Sequence, residues 1–227
     1  MSTASPVLLI LGAGSNVGAS VAKSFAEKGY KIALASRTIK ENSNSSEFHI
    51  SCDLSDPLSL HNVFGKVKET VGIPSVVVYN AAAATRANLE DPLLTPLADF
   101  TQNLNINTTS VYAAAQEAVK GFAELPADAS KTFIYTGNIL NLQILPPLLD
   151  LGVGKAATAH IIEYLAASYT SRGFKFYYAD QRKPDGSSIS IAIDGEAHGK
   201  FYVQLAEIKS QDDWHQTFVK DIGYQRF

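Results

Sequence analysis

The first strongly patterned stretch of the chain is Val7 to Leu11, an unbroken apolar run that breaks into Gly12, Gly14, Asn16 and Gly18. A short apolar run bounded by a turn signal predicts a strand buried on both faces, as in a parallel sheet. After the turn, Val21, Ala22, Phe25 and Ala26 recur at helical spacing, and Gly29 falls where a helix C-cap would stand. Four more runs predict strands, Lys31–Ser36, Ser75–Tyr79, Lys131–Tyr135 and Lys175–Ala179, and Glu47–Ser51 predicts a further short one. Asn42–Ser46 and residues 85–95 read as polar loops.

Helical patterns fill the gaps. Asp56 at N-cap and Pro57 at N1 open one helix, which runs to about Val71. Pro96 to Phe122 reads as one long helix with Phe100, Leu104, Val111, Ala115 and Val119 on one face. Pro147 to Arg172 reads as a second, ended by Gly173. Strands alternating with helices predict parallel βαβ units, hence an α/β protein with a three-layer α/β/α, doubly wound (Rossmann-like) parallel sheet. There is no internal repeat and no linker, so residues 1–227 are expected to form a single domain.

Beyond Ala179 the pattern weakens. Lys183-Pro184-Asp185-Gly186 is a turn signal. Ile189–Ile193 alternates like a strand, His198–Ile208 like a helix, and Trp214, Phe218, Tyr224 and Phe227 look like packing residues. Residues 180–227 are expected to close the sheet edge and cover the pocket.

Composition narrows the function. The chain has 227 residues, 46% of them hydrophobic, and a net charge of −3 without a basic block. That is enough apolar material for one core, and it argues against nucleic-acid or anionic-membrane partners. The lone Cys52 cannot form an intramolecular disulfide and suits a reducing, cytoplasmic setting. No secretory leader, membrane span or metal site is expected, so the sequon-like Asn44-Ser45-Ser46 and Asn107-Thr108-Thr109 carry little meaning.

Strand, glycine turn and helix in that order give the glycine motif its chemistry. A helix N-terminus offers free N–H groups and partial positive charge to a phosphate, and glycine lets the backbone approach it. The pattern fits GxxxGxG, with Gly12 and Gly18 in place and Asn16 in the middle slot. Asn tolerates a left-handed backbone better than other residues with a side chain, which makes the replacement plausible. Gly12, Gly14, Ser15, Asn16, Val17 and Gly18 thus form a candidate dinucleotide pyrophosphate site.

From Val7 to about Lys175 the chain resembles the short-chain dehydrogenase/reductases. The resemblance rests on the glycine turn, on Asp53-Leu54, on Asn80-Ala81-Ala82, on Asn107 in LNINTTSVYAAA and on Lys155 in GVGKAATAHIIEYLA. It implies that Asp53 and Leu54 lie at the adenine ring and Asn80, Ala81 and Ala82 beside the cofactor. At the ribose position, where an NAD site carries a carboxylate, stands Ser36, followed by Arg37. A guanidinium matches a 2′-phosphate in shape and charge, so NADP(H) is expected, with Ser36 and Thr38 adding hydroxyls.

The family's catalytic group is Asn, Ser, Tyr and Lys, the Tyr one helical turn before the Lys. Here Asn107 and Lys155 match the ends of that set, Asn138 stands at the Ser position, and Leu151 stands four residues before Lys155. None of the ten tyrosines has a lysine four positions later. Lys155 itself, Tyr135, Tyr178, Asp180 and His160 are substitutes for the acid, although His160 on its Ala- and Ile-rich helix reads as a packing residue. The resemblance implies an NADP(H)-dependent reductase of a small carbonyl or enone compound. A cofactor-holding sensor without turnover, or a lyase or isomerase using the same pocket, is the alternative. The loop 83–95, the segment 139–150 and the tail 180–227 are expected to line the pocket. Leu140, Leu142, Ile144, Leu145 and Leu148 suggest an apolar ligand. The resemblance also implies pairing of subunits through the two long helices, which Ala113, Ala114, Ala115, Ala156, Ala157 and Ala159 would permit, so a homodimer or homotetramer is expected.

Overall fold

The computed structural model describes residues 5–38 and 47–227, so the loop expected at Asn42–Ser46, with its sequon, lies outside the described residues. Among the described residues eight strands form one sheet: β1 (Val7–Leu11), β2 (Lys31–Ser36), β3 (Glu47–Ser51), β4 (Val76–Tyr79), β5 (Thr132–Thr136), β6 (Lys175–Arg182), β7 (His215–Val219) and β8 (Gly223–Tyr224). Their order is β3-β2-β1-β4-β5-β6-β7-β8, parallel throughout except for the antiparallel β8. The order reverses on either side of β1, and a ligand crevice is expected where the direction of winding changes.

Six α-helices of the described residues cover the two faces: α1 (Val17–Glu27), α2 (Ser59–Thr70), α3 (Leu97–Leu104), α4 (Ser110–Glu124), α5 (Leu149–Tyr169) and α6 (Gly195–Glu207). Strand alternation assigns the core to these layers. Leu9, Val77, Phe133 and Phe176 face α2, α4 and α5, whereas Leu8, Ile10, Val78 and Tyr177 face α1 and α6. Every residue of β1, β4 and β6 is buried, as a parallel sheet covered on both faces requires.

Several expectations need correction. Asp56 does not cap α2: the helix starts at Ser59, and Asp56 Oδ1 accepts from Leu58 N in the turn before it. The long helix over 96–122 is interrupted by a π-helical segment, Asn105–Thr109, which divides α3 from α4. The face chosen for it is only partly right, since Asn103, Asn107 and Ser110 are buried along with Val111 and Ala115. Ile189–Ile193 is no strand but a turn with Ile191 fully exposed. His160 is exposed rather than packed. Of the alanines assigned to an interface, Ala114, Ala115 and Ala159 are buried within the chain itself.

The tail folds more fully than its pattern suggests. After α6 the chain returns as β7, parallel to β6, and β8 pairs with its outer edge. Gly173 ends the helical stretch in the left-handed conformation, φ 69°, which lets the chain turn directly into Phe174 and β6. Among the described residues no helix is long and apolar enough to cross a membrane, and no group of potential ligands is placed to hold a metal.

Candidate active site

The glycine turn is built against the segment that follows β4. Gly12 leaves β1 with φ +88°, and a Cβ on it would lie 2.5 Å from Ala81 N. Asn80 Nδ2 donates to Gly12 O at 3.0 Å, which joins the two segments. Gly18 closes on Ala13, with a Cβ position 3.0 Å from that backbone. A Cβ on Gly14 would meet nothing within 4 Å. The turn is thus tight at Gly12 and Gly18 and open at Gly14; at the start of α1 Ala19 N donates to Gly14 O and Ser20 N to Asn16 O, which leaves the earlier amides there for a phosphate. Ser15 and Asn16 are exposed beside it, and Val17 is buried. This cradle fits a dinucleotide pyrophosphate.

Asn16 differs from its expected role. Its φ is −97°, outside the left-handed region, so conformational tolerance does not explain it. Its side chain does: Nδ2 donates to Ile193 O at 3.0 Å, and Oδ1 accepts from Gly195 N at 3.1 Å.

At the end of β2, Arg37 and Thr38 are exposed and Ser36 half-buried. Ser36 Oγ donates to Thr38 O at 2.8 Å, so that hydroxyl is engaged within its own turn. Asp53 lies near enough to Arg37 for the two charges to act on each other. Its carboxyl is held below the usual range, first by the Ser55 N–H and further by the guanidinium. Leu54 is buried in the core, and Ala82 is exposed beside half-buried Asn80 and Ala81.

The π-helical segment sets Asn107 inward, fully buried. Its side chain makes a two-way bridge to Ala83, accepting from N at 3.0 Å and donating to O at 2.7 Å. Its main-chain O accepts from Thr158 Oγ1 at 2.7 Å and Tyr135 OH at 3.4 Å. α5 comes so close here that a Cβ on Gly154 would sit 2.5 Å from Asn107 Cβ. One residue further on, Lys155 is 2% exposed. Its Nζ donates to Thr136 O at 2.8 Å and lies 4.3 Å from the Tyr135 ring centroid. Burial draws the amine down to about 7, against the opposing pull of the Asp180 charge. One turn before it stands Leu151, half-buried.

Asn138 closes the end of β5. Its Oδ1 accepts from Leu140 N at 3.0 Å, and its backbone exchanges two hydrogen bonds with Tyr178 OH. The Tyr178 ring fills the space over Gly137, whose Cβ would fall 2.1 Å from it. The buried tyrosine hydroxyls around the site are thus committed: Tyr79 to Ile106 O, Tyr135 to Asn107 O, Tyr178 to Asn138 O and Tyr202 to Thr136 Oγ1. Burial raises all four above the ordinary phenol value.

Two groups escaped the sequence reading. Asp150, buried at the start of α5, accepts from Thr85 N at 2.8 Å and from Asn103 Nδ2, pinning the 83–87 loop and α3 beside Leu151. An acidic residue inside the apolar run LLDLGVG was the available signal. Arg182, also buried, donates Nε to Asp180 Oδ2 at 2.6 Å and Nη1 to Gly186 O. Burial lifts Asp180 to about 6 despite Arg182 and Lys155.

A cavity of about 540 Å³ opens between the 87–92 loop, Leu140–Leu149 and the Gly152, Val153 and Ala156 side of α5; Asn107, Asn138 and Lys155 do not line it, but Leu140, bonded to Asn138, and Ala156, next to Lys155, do. All five leucines and isoleucines singled out in the 140–148 stretch line it. No residue of 180–227 does, because that segment is spent on α6, β7 and β8.

Comparisons with known proteins agree with this architecture. Residues 12–178 match the family model described as Enoyl-(Acyl carrier protein) reductase. The short chain dehydrogenase/reductase dmxR12 of Cryptosporiopsis sp. (strain 8999) is 47% identical, covering 98% of this chain and 95% of its own length. Two solved structures share the fold at low identity. ElxO with NADP bound superposes with a TM-score of 0.79 at 17% identity, over 95% of this chain and 97% of its own. The 3-ketoacyl-(acyl-carrier-protein) reductase from Brucella melitensis complexed with NADH gives 0.77 at 16%, with the same coverage.

Proposed function

The chain belongs to the short-chain dehydrogenase/reductase family of oxidoreductases, and on that premise we propose that it is an NADP(H)-dependent reductase of a small, apolar carbonyl or enone compound, working with a non-standard catalytic set. The observation that carries this is a convergence. The open glycine turn, Asn80–Ala82, Asn107 and Lys155 lie at the carboxyl ends of β1, β4 and β5, next to an apolar cavity.

NADP(H) is favoured by Arg37. Nicotinamide cofactors of both kinds occur on this fold, NADP on one relative and NADH on another. What separates them is the group at the ribose, and an exposed guanidinium at the end of β2 suits a 2′-phosphate.

When bound, the nicotinamide supplies or accepts hydride. The protein must then handle the proton and orient the substrate. We read Leu151 as standing in for the family's tyrosine, and the other nearby tyrosine hydroxyls are engaged elsewhere. That leaves Lys155 as the proton donor. Its N–H bond breaks as the substrate O–H bond forms, and burial favours the neutral amine that remains. Asn138 Nδ2 is the amide group suited to donate to a substrate carbonyl, and Asn107 holds the 83–87 loop in place. The cavity walls exclude water and select an apolar body. We further propose a cytoplasmic location and a homodimer or homotetramer, the pairing supported by the exposed Tyr112 on α4 and Tyr164 on α5.

The test is a thermal-shift titration with NADPH, NADP⁺, NADH and NAD⁺, followed by NADPH oxidation against apolar ketones and enones. A ligand at about 100 times its dissociation constant stabilises by ~2.7 kcal/mol, a rise of about 5–10 °C here. A rise with the NADP forms and turnover of a carbonyl or enone support the proposal. No rise with any nucleotide overturns it, and a rise without turnover of any substrate removes the reductase assignment.

A further inference from the structure

We propose that the Asn16 side chain is a latch that ties the segment 187–194 and the start of α6 to the glycine turn, holding that segment closed beside a bound dinucleotide. The second half rests on the cofactor reading above; the first stands on geometry alone.

The primary amide of Asn16 is used at both ends, donating to Ile193 O and accepting from Gly195 N. It reproduces with one side chain the two-way pairing that strands make with backbone groups. Asn16 makes no side-chain cap on α1, and its φ of −97° lies outside the left-handed region in which Asn is favoured. Its bonds span 177 and 179 positions of sequence, so they serve the tertiary arrangement.

The partner surface is shaped to receive it. A Cβ on Gly195 would lie 2.5 Å from Asn16 Oδ1 and 2.6 Å from Ser20 Oγ, and one on Gly199 would lie 2.4 Å from Ser24 Oγ. α6 therefore seats directly on α1 along its first turns. The segment before it is held elsewhere as well. Arg182 bridges Ser188, Gln181 Oε1 accepts from Asp194 N, and Asp194 pairs with Lys220 at 2.6 Å. Between those anchors, Ser190 sits at φ +53° and Ile191 is 98% exposed. A strained, exposed span fixed at both ends and tied to the phosphate turn by one amide has a built-in point of release.

Two variants separate this latch from a passive contact. Asn16→Gly removes both bonds without a new clash. Asn16→Asp keeps the acceptor for Gly195 N–H and loses the donor to Ile193 O. Deuterium exchange without nucleotide should show the Gly195 amide exchanging about 5- to 30-fold faster in Asn16→Gly, with an intermediate rate in Asn16→Asp and unchanged protection in β1 and β4. Unchanged exchange at Gly195 overturns the latch. The second arm chases bound NADPH with excess NADP⁺ in a stopped-flow fluorimeter. Dissociation should quicken about 5- to 30-fold in Asn16→Gly. Faster exchange with an unchanged dissociation rate overturns the closing role. If neither protein binds NADPH, the cofactor reading fails and takes the closing role with it, while the exchange arm still decides whether Asn16 holds the segment.

Discussion

Lys155 Nζ lies 4.3 Å from the centre of the Tyr135 ring, over its face, while the Tyr135 hydroxyl points away to Asn107 O. The ring supports the ammonium electrostatically but offers it no proton. This makes Lys155 the group to test. It is drawn down to about 7 by burial, so it is protonated below that pH and neutral above it. Reduction, which consumes the proton, should be fast below about pH 7 and fall as pH rises through it. Oxidation of the corresponding alcohol should show the opposite slope. Lys155→Met should lower kcat/KM for reduction by about 10²–10⁴. Lys155→Arg, which cannot release its proton near neutrality, should erase the inflection. A pH profile of kcat/KM with any substrate found by the NADPH screen checks all three.

Arg37 should discriminate between cofactors. A charge-assisted hydrogen bond to a 2′-phosphate is worth about 1.5–3 kcal/mol, so Arg37→Ala should weaken NADPH binding ~10- to 100-fold. NADH binding should change by much less. Fluorescence titrations of both nucleotides give the ratio, and equal losses would remove the assignment.

The central architecture was legible because each element announces itself locally. Val7–Leu11 reads as a strand buried on both faces, and the glycine turn with its helix follows at once. That Lys155 stands on a long helix was legible from the helical pattern after it. What was hidden depends on tertiary contact. The π-helical break at Asn105–Thr109 keeps a helical pattern on both sides, so periodicity alone draws a single helix. β7 was missed because HQTFV is short and its burial comes from pairing with β6. Asn16 was expected to stand in the turn for its tolerance of a left-handed backbone, but its φ is −97° and its side chain bonds residues 193 and 195, which no local pattern reveals.

Gly12 and Gly14 should fail differently. Gly12→Ala combines a positive φ with a Cβ 2.5 Å from Ala81 N, so it should cost about 1–3 kcal/mol of stability whether or not nucleotide is present. Gly14→Ala adds a methyl group to open space. It should leave the melting temperature of the free protein within about 2 °C and weaken nucleotide binding by obstructing the phosphate's approach. Differential scanning fluorimetry with and without NADPH separates a folding defect from a binding defect. If Gly14→Ala binds NADPH as tightly as the parent, the turn is not where the phosphates sit.

The Asp180–Arg182 pair tests how the carboxyl end of β6 is held together. Both side chains are at most 3% exposed and bonded at 2.6 Å, and among the described residues neither Asp180 Oδ1 nor Arg182 Nη2 has a further partner. Breaking such a pair from one side leaves a buried charge alone, which costs about 3–5 kcal/mol; Arg182→Leu should accordingly lower the melting temperature by roughly 6–20 °C. The loss should depend on pH with a definite sign. Asp180 in the folded protein sits near 6, above its ordinary 3.8, so its proton-bound form is the one folding favours. That contribution is fully present below about pH 4 and is lost as pH climbs through 6. At pH 7.5 the variant must bury a lone carboxylate or take up a proton, whereas at pH 4.5 the carboxyl is already largely neutral. The destabilisation measured at pH 4.5 should therefore be clearly smaller than at pH 7.5. Replacing both residues with leucine should cost less than Arg182→Leu alone at the higher pH, because no charge is then stranded. Thermal melts of the parent, the single variant and the double variant at the two pH values decide the matter. An equal loss at both would mean that Arg182 contributes packing and its bond to Gly186 O, and that its charge does not matter to Asp180.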